Sequence, residues 1–253
     1  MKPPLLAVRD LAKSFDGFMA VDGVDLEVRA GETVALIGPN GAGKTTFYNL
    51  ISGRMRPTRG SIVFEGRDVT GLPPHRMSRL GLSRSFQINN IFEELTVREN
   101  VEVALTALHR KSWRLFASRT RDAALYQEAD GVLARLGLAE LAPTRAGVLS
   151  YGDKRLLEIA IVLATRPQLV LLDEPTAGMT PDETRAVTRL IREIADSGDQ
   201  TFVVTEHDME VVFELADRIV VLHHGRVLAQ GSADEIRANR AVREAYLGDE
   251  QEA

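Results

Sequence analysis

Residues 38–46 read GPNGAGKTT, a complete Gly-x-x-x-x-Gly-Lys-Thr, and they follow the apolar stretch ETVALI. No other segment constrains the fold as much, because such a loop works only between a buried strand and a helix start. Its glycines let the backbone wrap until amides point at phosphate oxygens, and the helix N-terminus adds positive potential. The stretch therefore predicts an α/β nucleotide site lined by Asn40, Gly41, Ala42, Gly43, Lys44, Thr45 and Thr46. In that arrangement Lys44 reaches the β and γ phosphates, and the Thr45 hydroxyl faces Mg2+.

A second strand candidate, QLVLLDEP, runs continuously apolar into two acids, as expected of a parallel strand covered on both faces. Asp173 is placed to hold Mg2+ directly or through water. Glu174, one residue further on, is placed to orient and polarise an attacking water. Two acids at a strand end also simply solvate an exit turn, but beside a phosphate loop the catalytic reading is the stronger. His207 ends the next strand candidate, TFVVTEH, at the carboxyl edge where ligands of α/β sheets collect. Read with Glu174 it becomes a sensor of the γ phosphate that also orients the water.

Two further residues have an ordinary reading and a functional one. Gln87, in SRSFQINNIF, is either a linker side chain or a neutral oxygen facing Mg2+ or water at the junction of two lobes. Phe15, in KSFDGF, either packs in a core or stacks on adenine.

The rest of the chain divides by the period of its apolar residues. LLAVRDL, VDLEVRA, ETVALI and GSIVFEGRDV read as strands over the first seventy or so residues. From Thr96, a cap, the spacing of Val97, Val101, Ala104, Leu105 and Leu108 is helical. A second helical stretch over about 120–137 offers Ala124, Leu125, Ala129, Val132, Leu133 and Leu136 for burial. A helical lobe over 87–160 is thus expected between a sheet-containing part at 1–86 and its continuation at 161–253. In that continuation Thr180, Pro181 and Glu183 form a helix start with a capping box. DMEVVFELA reads as a helix, DRIVVLHHGRVLAQG as a hairpin, and 233–247 as one short helix carrying Ile236, Val242 and Leu247.

Composition removes several functions. The chain has no cysteine, so disulfides, thiolate metal sites and cysteine nucleophiles are excluded. A net charge of -5 gives no general reason to bind nucleic acid. No apolar run approaches the roughly 18 residues of a membrane span, and MKPPLLAVRD does not read as a signal peptide. One stretch is strongly basic: HRKSWRLFASRTR, at 109–121, reads as a solvated face, a docking surface for a partner, or a contact with an anionic bilayer.

VLSYGDKRLLEI, at 148–159, contains a second helix start. Ser150 and Asp153 cap an apolar stripe of Leu156, Leu157, Ala160, Ile161 and Leu163, and capping accounts for every residue except Gly152. A glycine in the first turn costs stability relative to alanine but lets a phosphate approach the exposed amides. Since one phosphate loop already serves the chain's own nucleotide, Ser150 and Gly152 are read as facing a nucleotide held by another subunit.

GPNGAGKTT, Gln87, LSYGD, LVLLDEP and TEHD stand in the order found in ATP-binding cassette subunits, which the chain resembles over essentially its whole length. The resemblance implies a P-loop nucleoside triphosphatase cassette: an α/β fold with a mixed core sheet, an N-terminal antiparallel β region and an inserted helical lobe. It implies two subunits, identical or related, meeting head to tail around two ATP molecules, with Ser150 and Gly152 of one facing the γ phosphate bound by the other. Phe15 matches the aromatic position that stacks on adenine.

LSYGD, AGMTPDET, TEHDMEVVFELADRIVVLHHGRVLAQG and AVREAYLG are similar to the ATPases of branched-chain amino acid importers. The common signature has Gly where this chain has Tyr151 and Gln where it has Asp153. The importer resemblance implies membrane permease partners, an indirect link to a solute-binding protein, and a peripheral place on the cytoplasmic face of the membrane. Two other readings share nearly every motif: the ATPase of a lipid or glycolipid exporter, and a regulator that dimerises with ATP but drives no transport.

Overall fold

The computed structural model of the chain describes residues 3–84, 91–109, 123–198 and 200–249. Gln87, all of the basic stretch except His109, and the side chain of Leu247 lie outside that description.

The chain opens with β1 (Leu6–Phe15) and β2 (Phe18–Val28), then β3 (Thr33–Ile37), the phosphate loop and α1 (Lys44–Ile51). There follow β4 (Arg59–Phe64), β5 (Arg67–Asp68), α2 (Pro74–Arg79) and β6 (Leu82–Arg84). The helices α3 (Val97–Leu108), α4 (Ala123–Arg135) and α5 (Tyr151–Ala164) come next. The last part alternates: β7 (Leu169–Asp173), α6 (Pro181–Asp196), β8 (Thr201–Thr205), α7 (Met209–Leu215), β9 (Arg218–His223), β10 (Arg226–Gly231), α8 (Ala233–Ala238) and α9 (Arg240–Asp249).

The strands form two sheets. An antiparallel sheet has the order β2-β1-β4-β5, and a mixed sheet the order β10-β9-β3-β8-β7-β6, parallel except for β10. Successive side chains of a strand point to opposite faces. Val34 and Leu36 of β3, with Leu169 and Leu171 of β7, accordingly pack into a core shared with α1 and the antiparallel sheet. Val170 and Leu172 turn to the other face and join α3, α4, α5 and α6 in one core. Ala35 and Ile37 pack under α7, α8 and α9. Burial on both faces is why these strands read as unbroken apolar runs.

Several expectations are corrected. The first strand is longer and continues through Asp16-Gly17, both at positive φ, into a β2 that begins six residues before the expected VDLEVRA. GSIVFEGRDV is not one strand but the hairpin β4–β5, turned at Glu65-Gly66 with both residues at positive φ. In both cases the left-handed pair matches the twist of a two-residue hairpin. The expected helix at 233–247 is two helices, because Asn239 is extended and its side chain caps the second, accepting from Val242 N at 3.2 Å. Ala124, expected to be buried, is exposed, and so is Leu108 at the end of the stripe of α3. The short α2 and β6 were not anticipated; Pro73-Pro74 starts the former. The capping boxes at Thr96–Glu99 and Thr180–Glu183 form as their sequences require.

Candidate functional site

Strand register gathers the polar residues. In the order β3-β8-β7, Leu36 pairs with Thr205 and Thr205 with Asp173, so three strand ends stand side by side at one edge of the sheet. The phosphate loop leaves beside Leu36, Glu174 follows Asp173, and Glu206 and His207 follow Thr205. This is the carboxyl edge of parallel strands, where the ends of separate elements build one site.

The loop itself is held from below. A Cβ on Gly38 would lie 2.2 Å from the Leu222 carbonyl oxygen, and one on Gly43 would lie 2.3 Å from that of Ala20, so β9 and β2 form a floor that admits only glycine. Gly225, in the β9–β10 turn, donates to the Ala42 carbonyl at 3.0 Å. Gly43 precedes α1 with φ of 99°, leaving the first amides of α1 without a side-chain cap. Tyr48 of α1 is buried, and its hydroxyl contacts the carbonyls of Leu172 and Val203, which ties the helix to β7 and β8. Burial raises the Tyr48 phenol well above its ordinary pKa, so it stays a neutral donor.

Lys44 is buried at the start of α1, and its ammonium donates to the Gly38 and Pro39 carbonyls at 2.5 and 2.9 Å. Burial lowers its pKa, and the Glu174 carboxylate opposes that shift. A cation that is costly to desolvate and faces few anions is a ready partner for phosphate oxygens. Asn40, Gly41 and Thr45 are exposed around it, while Ala42 is buried and Gly43 and Thr46 are partly so.

Asp173 accepts from the Thr205 hydroxyl at 2.7 Å and from Arg84 at 2.5 Å. Glu174 takes a backbone φ of 47°, a left-handed conformation that costs a non-glycine residue about 1–2 kcal/mol. The turn aims its carboxylate at His207, with Oε1 2.9 Å from Nε2. Both side chains remain accessible, so a water between them and a phosphate would be reachable. Behind them the buried Glu206 accepts from the amide and hydroxyl of Thr176, at 2.9 and 2.6 Å, and fixes the loop that follows Glu174. Mg2+ takes few protein oxygens and keeps water and phosphate oxygens around it. The Thr45 hydroxyl and the Asp173 carboxylate are hard donors that fit such an ion.

Phe15 closes β1 with its ring half-exposed and Lys13 Nζ 5.2 Å from the ring centroid, a surface ring rather than a core one. Ser150 caps α5: its Oγ accepts from Asp153 N at 3.1 Å and donates to Asp153 Oδ2 at 2.7 Å. Ser150 is exposed. Gly152 is buried against the start of α6, where a Cβ on it would lie 2.9 Å from Glu183 Oε1. That close approach is a structural reason for the glycine which sequence reading did not supply.

Sequence reasoning also passed over Arg84, Tyr48, Thr205, Glu206, Gly225 and Arg155. Only Arg155 carried a signal. It is a cation inside the apolar stripe of α5, three residues before Glu158, and the two are paired in the interior at 2.7 Å.

The comparisons with known proteins agree with this geometry. Residues 21–177 match the ABC transporter family, and residues 226–252 match the branched-chain amino acid ATP-binding cassette transporter family. The chain is 43% identical to the high-affinity branched-chain amino acid transport ATP-binding protein LivG of Salmonella typhimurium, over 98% of this chain and 100% of the relative. It is 40% identical to BraF of Pseudomonas aeruginosa, a protein of the same description, with the same coverage. A crystal structure of the ADP conformation of an ATP-binding cassette superposes with a TM-score of 0.85 at 28% identity, covering 98% of this chain and 100% of that one. Phosphate loop, paired acids and histidine at one sheet edge, and full-length likeness to such cassettes lead to one assignment: the chain belongs to the ABC transporter family, as one of its ATP-binding subunits.

Proposed function

We propose that this subunit hydrolyses ATP to power import of branched-chain or related amino acids, and that the Glu174–His207 contact at 2.9 Å carries the chemistry. The amino acid reading is supported by the full-length relatives whose names describe branched-chain amino acid transport. Phe15 stacks on adenine, the amides of residues 40–46 and Lys44 hold the phosphates, and Thr45 and Asp173 hold Mg2+, with Gln87 as a further ligand that also positions water. When bound, Mg2+ neutralises phosphate charge.

Glu174 accepts hydrogen-bonding from the attacking water and polarises it, while His207 keeps that carboxylate oriented and contacts the γ phosphate. Ser150 and Gly152 complete the site of a second cassette, identical or related. Two ATP molecules then close the pair, and segment 87–160, lying between 1–86 and 161–253, passes the closure to membrane permeases at the cytoplasmic face. The resemblance to importer ATPases also implies delivery of solute by a binding protein. No helix of the described residues is long and apolar enough to cross a membrane, so permeation is assigned to other subunits.

The trans arrangement is tested by mixing Ser150→Arg with Lys44→Ala chains. The mixture contains one intact composite site per mixed dimer and should recover part of the ATP-dependent dimerisation, read by light scattering or crosslinking. No recovery in folded mixed dimers would place Ser150 on its own chain's nucleotide. Vesicles holding the subunit with its permease should take up leucine only with ATP. ATP-dependent movement of lipid away from the face that holds this subunit, with no leucine uptake, would favour the exporter reading.

A further inference from the structure

Arg155 lies in the second turn of α5, buried, and its guanidinium faces three consecutive carbonyls of the loop that leaves β7. Nη2 donates to Asp173 O at 2.7 Å and Glu174 O at 2.9 Å, and Nε donates to Pro175 O at 3.1 Å. Nη1 donates to Glu158 at 2.7 Å, which supplies the countercharge from the same helix. A guanidinium presents its donors in a rigid plane, so this set fixes the path of the backbone as well as satisfying it. The fixed segment is the one where Glu174 takes its left-handed turn, with φ of 47°.

Two more contacts join the same elements. The ring of Tyr151 lies close over Gly178, since a Cβ there would be 3.5 Å from Cε1 and the hydroxyl oxygen of Tyr151. Gly152 is pressed against Glu183 as described above. The start of α5, capped by Ser150, is thus docked on residues 173–175, on Gly178 and on Glu183. Arg155 stands five residues after Ser150 on one helix, a rise of about 7.5 Å. A displacement felt at Ser150 reaches the Glu174 backbone through a single rigid turn and a half.

We propose that Arg155 is a positioning residue for hydrolysis: it holds the backbone turn that aims Glu174, and it does so from the helix whose N-cap, Ser150, faces the partner's ATP. This rests on the reading of Glu174 and Ser150 given above. Arg155 touches no phosphate and moves no proton. Its effect passes through the direction of the Glu174 carboxylate.

The test uses the full chain with ATP and Mg2+, measuring ATP affinity and single-turnover cleavage for Arg155→Lys, Glu174→Gln and the double variant. Lysine keeps the charge opposite Glu158 but loses the fork. ATP affinity should stay within about threefold while cleavage falls by tenfold or more, the scale expected when a reacting group is misplaced by a fraction of an ångström. In the Glu174→Gln background the same substitution should cost nothing further, because the group through which it acts is already gone. Unchanged cleavage, losses that multiply in the double variant, or equal losses of binding and cleavage would each overturn the proposal. If Arg155→Lys does not fold, Arg155→Gln with Glu158→Gln replaces the buried pair by a neutral one and is read the same way. Failure of that variant to fold would make Arg155 a folding requirement and also overturn it. Normal cleavage by Glu174→Gln alone would instead overturn the hydrolytic reading of Glu174, a separate failure visible before Arg155 is considered.

Discussion

Arg84 and Asp173, the last residues of β6 and β7, form a largely buried ion pair with Nη2 2.5 Å from Oδ2. The same guanidinium donates to Asn49 Oδ1 of α1 at 2.7 Å, so it bridges the helix after the phosphate loop and the acid proposed for Mg2+. Removing one partner of a buried pair strands the other charge, at a cost of about 3 kcal/mol. Arg84→Gln should therefore lower stability by about that much in urea unfolding. It should also reduce the Mg2+ concentration needed for half-maximal ATP binding, because no fixed cation then competes for Asp173. A variant that needs more Mg2+ would show that Arg84 assists the ion.

Glu174→Gln preserves shape and most hydrogen bonds but removes the carboxylate. ATP affinity should hold, and cleavage should slow by about 10²–10⁴-fold, the usual contribution of a positioned acid or base. His207→Ala, which frees Glu174 Oε1 from its partner at 2.9 Å and removes the proposed γ-phosphate contact, should slow cleavage less than Glu174→Gln and weaken ATP affinity only slightly. Equal loss of affinity in either variant would move that residue from hydrolysis to binding.

Gly152→Ala would place a methyl 2.9 Å from Glu183 Oε1 and 3.2 Å from its Cδ and Cγ. Glu183 cannot yield freely, because Oε2 accepts from Thr180 N at 2.9 Å and Thr180 Oγ1 at 2.8 Å in the capping box of α6. Loss of such a box costs about 1 kcal/mol, against about 0.5–1 kcal/mol gained by alanine in a helix. The variant should be neutral to slightly destabilising alone. In a Glu183→Ala background the obstruction is gone, and Gly152→Ala should become stabilising in thermal melts.

The capping carboxylates also set an acid limit. Hydrogen bonds from the backbone and hydroxyl of Thr180 hold the Glu183 carboxyl below its ordinary pKa, and those of Ser232 do the same for Glu235. A depressed native pKa means stability that is present above the unfolded value and lost as pH falls through the native one. Unfolding free energy should therefore decline from about pH 5 downward. Glutamine keeps a capping box but does not titrate, so Glu183→Gln with Glu235→Gln should make that decline shallower. An unchanged slope would assign the acid sensitivity to other carboxylates.

Elements were legible where one local force decided them. Thr96 and Thr180 announce their helices because the capping box is contained within four residues. The β9–β10 hairpin was legible for the same reason. β2 was half missed because FMAVDGV has no clean alternation; its place is set by pairing with β1 through the turn at Asp16-Gly17. Ala124 and Leu108 fit a helical stripe, yet whether a stripe edge is covered depends on the neighbouring element, which periodicity does not encode.

The sequence by itself determined the candidate segments: a glycine-rich loop with Lys44 and Thr45, acids at Asp173 and Glu174, His207, and a helix capped by Ser150. Each is a short segment whose chemistry is local, so spacing along the chain suffices to recognise it. Tertiary structure alone decided which of these segments meet and what holds them. The order β3-β8-β7 sets Thr205 beside Asp173, Gly43 is pressed on Ala20, Gly152 meets Glu183, and Arg155 reaches the carbonyls of residues 173–175. Those partners lie 18 to 32 residues apart along the chain. Their contacts arise from close packing and from the need to satisfy buried polar groups, conditions that apply to the folded chain as a whole.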